Sequence, residues 1–297
     1  MRKIFFYMLF AVLLSMTSFT NAAFAAEQPG QEAEAMEYMQ SVYENMAKLK
    51  NYHTEIAIDV QTSLMNMAVN NSSDIELQPM RYKNESQFVM TDPEKRTMKT
   101  SMTQYMEEVD RQLITYTEVE GKYIKQVLPY ITERAVSPYD MTAYMKVVKK
   151  AVVLSETDTD KEVSLTLDAD VLREMTENIL LQSGPDAKNY LNFVETIFKD
   201  FPDMTYTVHI DKKTKRVSQV NMDLSEIMQR SILAINEKAN IPEKDKAQLK
   251  TIFGSMKVLV QCQYSKFDQV KPIQIPKEVK EKAVEQKADA PIVSAKI

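Results

Sequence analysis

Two histidines, His53 and His209, are the side chains best suited to act as a general base near neutral pH. Each has an aspartate nearby in the sequence, Asp59 and Asp211 respectively, which is the residue type that orients a catalytic imidazole. A hydrolase also needs a nucleophile and an oxyanion-binding loop, and the sequence offers neither in recognisable form. His209 alternates with Val208 and therefore falls on the opposite face of a strand. We expect no enzymatic activity, with a histidine hydrolase kept as an alternative.

Composition argues against metal and nucleotide sites. The 297 residues include four scattered glycines, two histidines, one cysteine and no tryptophan. A phosphate-binding loop needs clustered glycines, and a zinc site needs several His or Cys ligands. The segment "ETDTDKE", residues 156–162, lacks the glycine and the closing glutamate of a calcium loop, so it predicts a turn or a helix entry. We expect no cofactor and no metal, and a buried, apolar role for Cys262.

The first residues have the pattern of a cleaved export signal. Arg2 and Lys3 precede an apolar run at residues 4–14, and a small-x-small motif ends at Ala25. We expect cleavage after Ala25, which makes residues 1–25 a signal peptide and the mature chain periplasmic or extracellular. The apolar run is shorter than the roughly 20 residues that cross a bilayer, and no transmembrane segment is expected in the mature chain. A formal charge of −5 argues against nucleic acid as a partner.

Periodic apolar residues predict the secondary structure. In "NYHTEIAIDVQTSLMNM", residues 51–67, apolar and polar positions alternate, which indicates a strand with one apolar face. "QLITYTEVEGKYIKQV" predicts a hairpin with Gly121 at its tip, and "MTYTVHIDKKTKRVSQVNMDL" predicts a second hairpin. The cluster "NNSSD", residues 70–74, predicts a loop. Helices are predicted near residues 36–50, 138–152, 172–180, 190–201, 225–239 and up to residue 253.

The order of these elements predicts one α+β domain. Antiparallel hairpins with helices inserted between them place helices on one face of a sheet. No linker and no internal repeat divides the chain, so residues 36–279 are expected to form a single domain. Residues 26–35 are expected to be flexible, and residues 280–297, rich in Lys and Glu, are expected to be a disordered tail.

The chain resembles the LolA-like and LppX-like family of bacterial envelope proteins, and in particular an uncharacterised secreted branch of it. The matching stretches are "VSLTLDADVLREM", "IDKKTKRVSQVNMDL" and the closing "FDQVKPIQIPKEV", within residues 36–279. The resemblance implies a curved antiparallel half-barrel sheet with helices covering its concave face. In LolA-like carriers that space shelters the acyl chains of lipoproteins, and in LppX-like proteins it shelters other lipids.

The resemblance therefore implies an exported, soluble protein that binds a lipid or another hydrophobic ligand between sheet and helical lid. The alternative is an envelope structural or protein-interaction module with a dry core and no ligand. Twenty methionines suit either reading, because flexible thioethers fill irregular cores and also adapt to apolar ligands. The residues expected to line the cavity are Ile56, Ile58, Val60, Leu64, Met98, Met102, Met204, Tyr206, Val208, Val220, Met222, Val258 and Val260.

A second candidate surface is the basic tip of the later hairpin, residues 211–216. It carries four cations that can dock on anionic lipid or on an acidic partner, and more commonly such a tip is a solvated turn. The four are Lys212, Lys213, Lys215 and Arg216.

Overall fold

The structure is a computed structural model that describes residues 31–110, 112–119, 121–129, 145–174, 202–238 and 242–285. It opens with helix α1 (Gln31–Met46), whose buried side chains recur every three or four residues, as in an amphipathic helix. Ala35, Met39 and Val42 are among these buried residues. The helix therefore begins inside the segment expected to be flexible, because its first turn already contributes Ala35 to the core.

The described residues after α1 form twelve strands, in one sheet. Antiparallel hairpins account for most of them, as the alternating sequence predicts. Their bounds are β1 (Asn51–Gln61), β2 (Asn66–Leu77), β3 (Met80–Thr91), β4 (Thr97–Val109), β5 (Gln112–Val119), β6 (Lys122–Pro129), β7 (Val148–Glu156), β8 (Asp160–Leu167), β9 (Met204–Asp211), β10 (Arg216–Asp223), β11 (Lys257–Ser265) and β12 (Val284–Glu285).

The sheet is open and runs in the order β12-β6-β5-β4-β3-β2-β1-β11-β10-β9-β8-β7. Every neighbouring pair is antiparallel except β12 with β6, which is parallel. We call the face that carries Val60, Val208 and Val258 the inner face, and the face that carries Asp59 and Leu259 the outer face. The expected α+β fold with a curved, unclosed antiparallel sheet is confirmed.

Helices cover one end of the inner face. Helix α1 packs on β7 and β10, and the helix α2 (Ser225–Lys238) packs on β11 and on α3 (Glu243–Phe253). Asp168 begins a further helix at residues 169–174, where its carboxylate accepts the backbone N–H groups of Asp170 and Val171. None of the described helices is long and apolar enough to cross a bilayer.

The end of the described chain crosses the outer face as a strap. The backbone N–H of Val270 donates to Asn51 Oδ1, and that of Ile273 donates to Glu76 Oε1. Helix α4 (Lys277–Lys282) then buries Val279, and β12 pairs with β6. Residues 280–285 were expected to belong to a disordered tail; they are ordered here because these contacts hold them to the sheet.

Three predicted elements are contradicted. The strand predicted over residues 51–67 is divided by a turn at residues 62–65, where the Thr62 N–H and hydroxyl both donate to the Met65 carbonyl. Residues 70–74 lie inside β2 and not in a loop, because Asn71 and Ser73 find side-chain partners on the neighbouring strand. Val148 and Val152 lie on β7, so the helix predicted to reach residue 152 does not extend that far. Residues 172–174 of the helix predicted over 172–180 are helical. The rest of that helix, the start of the one predicted over 138–152 and the helix predicted over 190–201 lie outside the described residues.

The predicted hairpins and the two later helices agree with the structure. Gly121 has a φ of +74°, the left-handed conformation that the tip of the first hairpin requires. The β9–β10 hairpin and helices α2 and α3 lie within a few residues of their predicted bounds. Cys262 is buried, with 2 % exposure, and burial raises the pKa of its thiol to about 12, so it behaves as a small apolar residue.

Candidate functional site

Most of the expected cavity residues are packed into the hydrophobic core. Val208 and Val258 have no exposed surface, so neither side chain lines a space large enough for a water molecule. The core cluster also contains Met39 and Val42 of α1, which cover this part of the inner face. The expected residues found in this cluster are Ile58, Val60, Met204, Tyr206, Val208, Val220, Met222, Val258 and Val260.

The other four expected residues retain accessible surface. Ile56 and Met102 are half-buried on the inner face, and Met98 on the same face is 48 % exposed. Leu64 is 44 % exposed and lies in the turn between β1 and β2, away from the inner face. The structure thus brings Ile56, Met98 and Met102 to one region, strands β1 to β4, and separates Leu64 from them.

Strand register arranges the inner face of β1 to β4 in rows that run across the sheet. Ile56, Asn71, Ser86 and Met102 are successive partners and form one row. The next row along the strands contains Thr54, Ser73, Asn84 and Gln104. Because residues i and i+2 share a face, these two rows place polar side chains side by side in the middle of the inner face.

A chain of hydrogen bonds links four of these side chains, which we call the polar band: Asn71, Ser73, Asn84 and Ser86. Ser73 Oγ donates to Asn84 Oδ1 at 3.0 Å, and Asn84 Nδ2 donates to Ser86 Oγ at 2.7 Å. Ser86 Oγ in turn donates to Asn71 Oδ1 at 2.6 Å. Ser73, Asn84 and Ser86 are buried, so their mutual bonds offset the cost of removing them from water.

Apolar rows lie on both sides of the polar band. One side has the row Val60, Met67, Met90 and Met98. The other side has the row Tyr52, Ile75, Tyr82 and Met106. Burial raises the pKa of Tyr82, so its phenol is neutral over the physiological range.

Accessibility on this surface increases from β2 toward β4. Met67 is 9 % exposed, Met90 is half-buried, and Met98 is 48 % exposed. Phe88 beside them is half-buried. We call the accessible part of the surface the inner floor, and it consists of Asn71, Phe88, Met90, Met98 and Met102. Its chemistry is apolar with a hydrogen-bonding strip, which suits an amphiphilic ligand.

A concavity of about 380 Å³ lies on the outer face, opposite the expected site. Its polar walls include Asp59, Asp223 and Gln261, and Leu259 is 45 % exposed beside them. Two carboxylates make it a poor host for an acyl chain, because apolar contact there leaves charges partly desolvated. It is therefore the inner floor, and not this concavity, that matches the expected ligand.

Neither histidine forms the predicted catalytic pair. His53 Nδ1 lies 2.7 Å from Asp74 Oδ1, and its Nε2 lies 3.6 Å from Glu55, so carboxylates occupy both sides of the ring. His209 Nε2 lies 3.0 Å from the Asn221 side-chain amide. Asp59 and Asp211, the expected partners, are not the residues in contact. Within the described residues, no three His, Cys, Asp or Glu side chains come together as a metal site.

The basic hairpin tip is largely occupied by internal contacts. Lys212 Nζ lies 2.6 Å from Glu156, and Arg216 lies 3.1 Å from Asp268. Lys215 Nζ lies 5.9 Å from the centre of the Tyr38 ring. Lys213 is exposed. These contacts favour the solvated-turn reading, because docking on an anion would compete with existing partners. Residues 156–162 form the neighbouring β7–β8 turn, one of the two roles expected of them.

The C-terminal strap is fixed to the outer face by a buried carboxylate. Glu107 is 8 % exposed, and Lys280 Nζ of α4 lies 2.6 Å from its Oε1. The Tyr116 hydroxyl donates to the same oxygen at 3.2 Å. Burial, followed by the negative charge of Glu107, raises the pKa of Tyr116 to about 12. The Tyr116 phenol is therefore neutral when it contacts Glu107 in the folded protein.

Tyr116 should make folding stability fall at alkaline pH. The unfolded phenol titrates near pH 10, so its contribution is complete below about pH 10 and is lost as the pH rises toward 12. Replacement Tyr116→Phe should reduce that loss, because phenylalanine does not ionise. Urea unfolding of the wild type and of Tyr116→Phe at about pH 8 and about pH 11 measures the free energy of unfolding that each loses. Equal pH dependence in the wild type and the variant would contradict the assignment.

The fold and the inner face define a class of α+β protein built on one open antiparallel sheet with helices packed on one end. The chain belongs to the DUF6612 family, a family of unknown function, which it matches over residues 34–284. A search of the curated proteins finds no match.

Two mycobacterial proteins are among the similar solved structures. The crystal structure of LprF from Mycobacterium bovis has a TM-score of 0.40 and 13 % identity, covering 82 % of this chain and 96 % of that one. The Mycobacterium tuberculosis lipoprotein LppX has a TM-score of 0.37 and 8 % identity, covering 82 % and 99 %. LppX is a protein of the group that the sequence stretches quoted above resemble. Because these TM-scores are low, the likeness carries no conclusion about a ligand.

The sequence reasoning missed the polar band. Its residues Asn71 and Ser73 fall in the cluster "NNSSD", which has the composition of a loop. A signal was nevertheless present, because Met67, Val69 and Ile75 keep the strand alternation on either side of the cluster.

Proposed function

We propose that this protein is exported and binds a lipid or another hydrophobic ligand on the inner floor of strands β1 to β4. The observation that carries the proposal is the accessible pair Met98 and Met102, on the same face as a buried polar band with apolar rows on both sides. The closed core at β8 to β11 supports this location, because Val208 and Val258 leave no room for a ligand there.

The chemistry of the inner floor suits a ligand with a long apolar part. Burying apolar surface contributes about 25 cal/mol per Å², and methionine side chains adapt their rotamers to different chains. The half-buried Asn71 amide supplies an uncharged hydrogen-bonding group in the same row as Met102. Such a surface orients an amphiphile without requiring a charged headgroup.

Export is supported by the N-terminal sequence. Arg2, Lys3, the apolar run and the motif ending at Ala25 together have the layout of a cleaved signal. A catalytic step is not part of the proposal. Asp74 can orient the His53 imidazole, but among the described residues the other polar contacts of the two imidazole rings are Glu55, Glu162 and the Asn221 amide, and none of these is a hydroxyl or thiol nucleophile.

Binding of a fluorescent fatty acyl probe by the purified mature chain tests the site. The double variant Met98→Gln with Met102→Gln should raise the dissociation constant about tenfold or more, because two apolar contacts become polar. Met65→Gln is the matched control, since Met65 is 39 % exposed in the β1–β2 turn and outside the inner floor. The control should bind the probe as the wild type does. Equal binding by all three proteins, or no binding by the wild type, would overturn the proposed site.

The second candidate function is an envelope interaction module with a dry core. The complete burial of Val163, Val208 and Val258 on strands β8, β9 and β11 favours it, because side chains with no exposed surface leave no space for a ligand there. A stoichiometric protein partner recovered from the envelope, together with no uptake of the acyl probe, would support this candidate over lipid binding.

A further inference from the structure

Among the described residues, half of strand β4 has no neighbouring strand on one side. Strand β3 pairs with β4 from Thr97 to Glu107. Strand β5 pairs with β4 only from Gln104 to Val109. Residues 97–101 are all exposed. Residues 97–103 therefore form a step in the sheet, which we call the β4 ledge, with one edge open in the described structure.

The register shows which backbone groups point out of the ledge. The backbone N–H of Asp92 donates to the carbonyl of Arg96 at 3.1 Å, which closes the β3–β4 hairpin. In an antiparallel ladder the groups of alternate residues point to the same neighbour, so those of Lys99 and Ser101 point away from β3. The pair Val109 and Gln112 closes the next hairpin, so the backbone groups of Val109 point toward β5. Counting back along β4 in steps of two residues from Val109 places those of Ser101 and Lys99 on the same side. The N–H and C=O groups of Lys99 and Ser101 therefore face the open edge.

The side chains of the ledge differ between its two faces. Met98 and Met102 lie on the inner face, and Lys99 and Ser101 lie on the outer face. Lys99 is exposed and takes part in none of the ion pairs found among the described residues. If the β4 ledge of a second protein molecule paired antiparallel with this one about Thr100, the two Lys99 side chains would occupy diagonal positions on one face. Their like charges disfavour that pairing. A lysine on an edge strand is a known deterrent to self-pairing.

We propose that the β4 ledge binds an extended peptide segment of a partner protein by strand addition. The backbone groups of Lys99 and Ser101 hydrogen-bond the added strand. An Asp or Glu of the peptide lies on the outer face beside Lys99, and an apolar residue contacts Met98 or Met102 on the inner face. This site is a protein-interaction surface that goes beyond lipid binding and does not depend on it.

Selection from a displayed library of extended peptides, each about ten residues long, tests the proposal on the intact mature chain. Ser101→Pro is the decisive variant, because proline removes one outward N–H and leaves the bonds to β3 intact. Ser101→Ala is its matched control, since it keeps that N–H. Lys99→Glu tests the charge preference. Circular dichroism and thermal unfolding confirm that each variant is folded.

The expected peptides alternate β-branched residues with at least one Asp or Glu. A synthetic peptide from the selection should slow amide hydrogen exchange at Lys99 and Ser101. Its dissociation constant should rise about tenfold or more in Ser101→Pro and also in Lys99→Glu, and should be unchanged in Ser101→Ala. The proposal would be overturned if no peptide were enriched, if the enriched peptides lacked acidic residues, or if they bound Ser101→Pro as tightly as they bind the wild type. Protection of the same amides through self-association of the free protein would overturn it as well.

Discussion

Replacing Leu165 by alanine should lower the free energy of unfolding by about 2–5 kcal/mol. Leu165 has no exposed surface and lies on β8 between Ala151 of β7 and Tyr206 of β9. The substitution removes apolar contacts and leaves a cavity that the surrounding sheet can only partly fill. Chemical denaturation followed by circular dichroism measures the change.

The control for this experiment is Leu259→Ala on the outer face. Leu259 is 45 % exposed, so its truncation should change the free energy of unfolding by no more than about 0.5 kcal/mol. Binding of the acyl probe per folded molecule should be preserved in Leu165→Ala, because Leu165 lies in the closed region and not on the inner floor. A small destabilisation with lost probe binding would place the ligand in the closed region and contradict our account.

Replacing Asn84 by alanine should lower the free energy of unfolding by about 1–3 kcal/mol. Asn84 is 4 % exposed, accepts a hydrogen bond from Ser73 and donates one to Ser86. Its removal leaves two buried hydroxyl groups without these partners, which costs more than the net value of the lost bonds. The same denaturation experiment measures the loss.

Asn70→Ala provides the comparison for Asn84. Asn70 is on the same β2–β3 ladder, exposed on the outer face, and its truncation should have little effect. A double variant with Ser86→Ala should be less destabilising than the sum of the single changes, because the two residues share one hydrogen bond. Strict additivity, or equal effects at Asn84 and Asn70, would show that the polar band is not a connected network.

The alternating strands were accessible from sequence because each has a buried and a solvated face. Val163, Leu165 and Leu167 on β8 alternate as predicted, and the residues of β9 and β10 do the same. The hairpin tip at Gly121 was also predictable, since a positive φ favours glycine. These features depend on local sequence, so they need no knowledge of distant contacts.

The missed elements depend on contacts between residues far apart in the chain. Asn71 and Ser73 extend β2 because Ser86 and Asn84 on β3 satisfy their side chains. α4 is ordered because Lys280 reaches Glu107, which is far from it in sequence. Local propensity favours a loop at the first site and disorder at the second, and tertiary hydrogen bonds override both preferences.

The sequence predicts the apolar character of the candidate site but not which strands carry its accessible residues. Sequence alternation identifies the inner-face residues, but it does not distinguish a side chain packed under a helix from one beside open space. Val208 and Met98 have equivalent positions in an alternating pattern, yet one has no exposed surface and the other is 48 % exposed. The difference arises from where α1 packs, which depends on the whole sheet.

Native mass spectrometry of the exported protein, purified without detergent, tests the central claim most directly. Our account predicts a population heavier than the mature polypeptide by the mass of one bound amphiphile, with organic extraction recovering that amphiphile. The population should decrease when Met98 and Met102 are replaced by glutamine, and it should persist when Met65 is replaced. A spectrum with only the bare polypeptide mass, from protein that also fails to take up the acyl probe, would contradict the account.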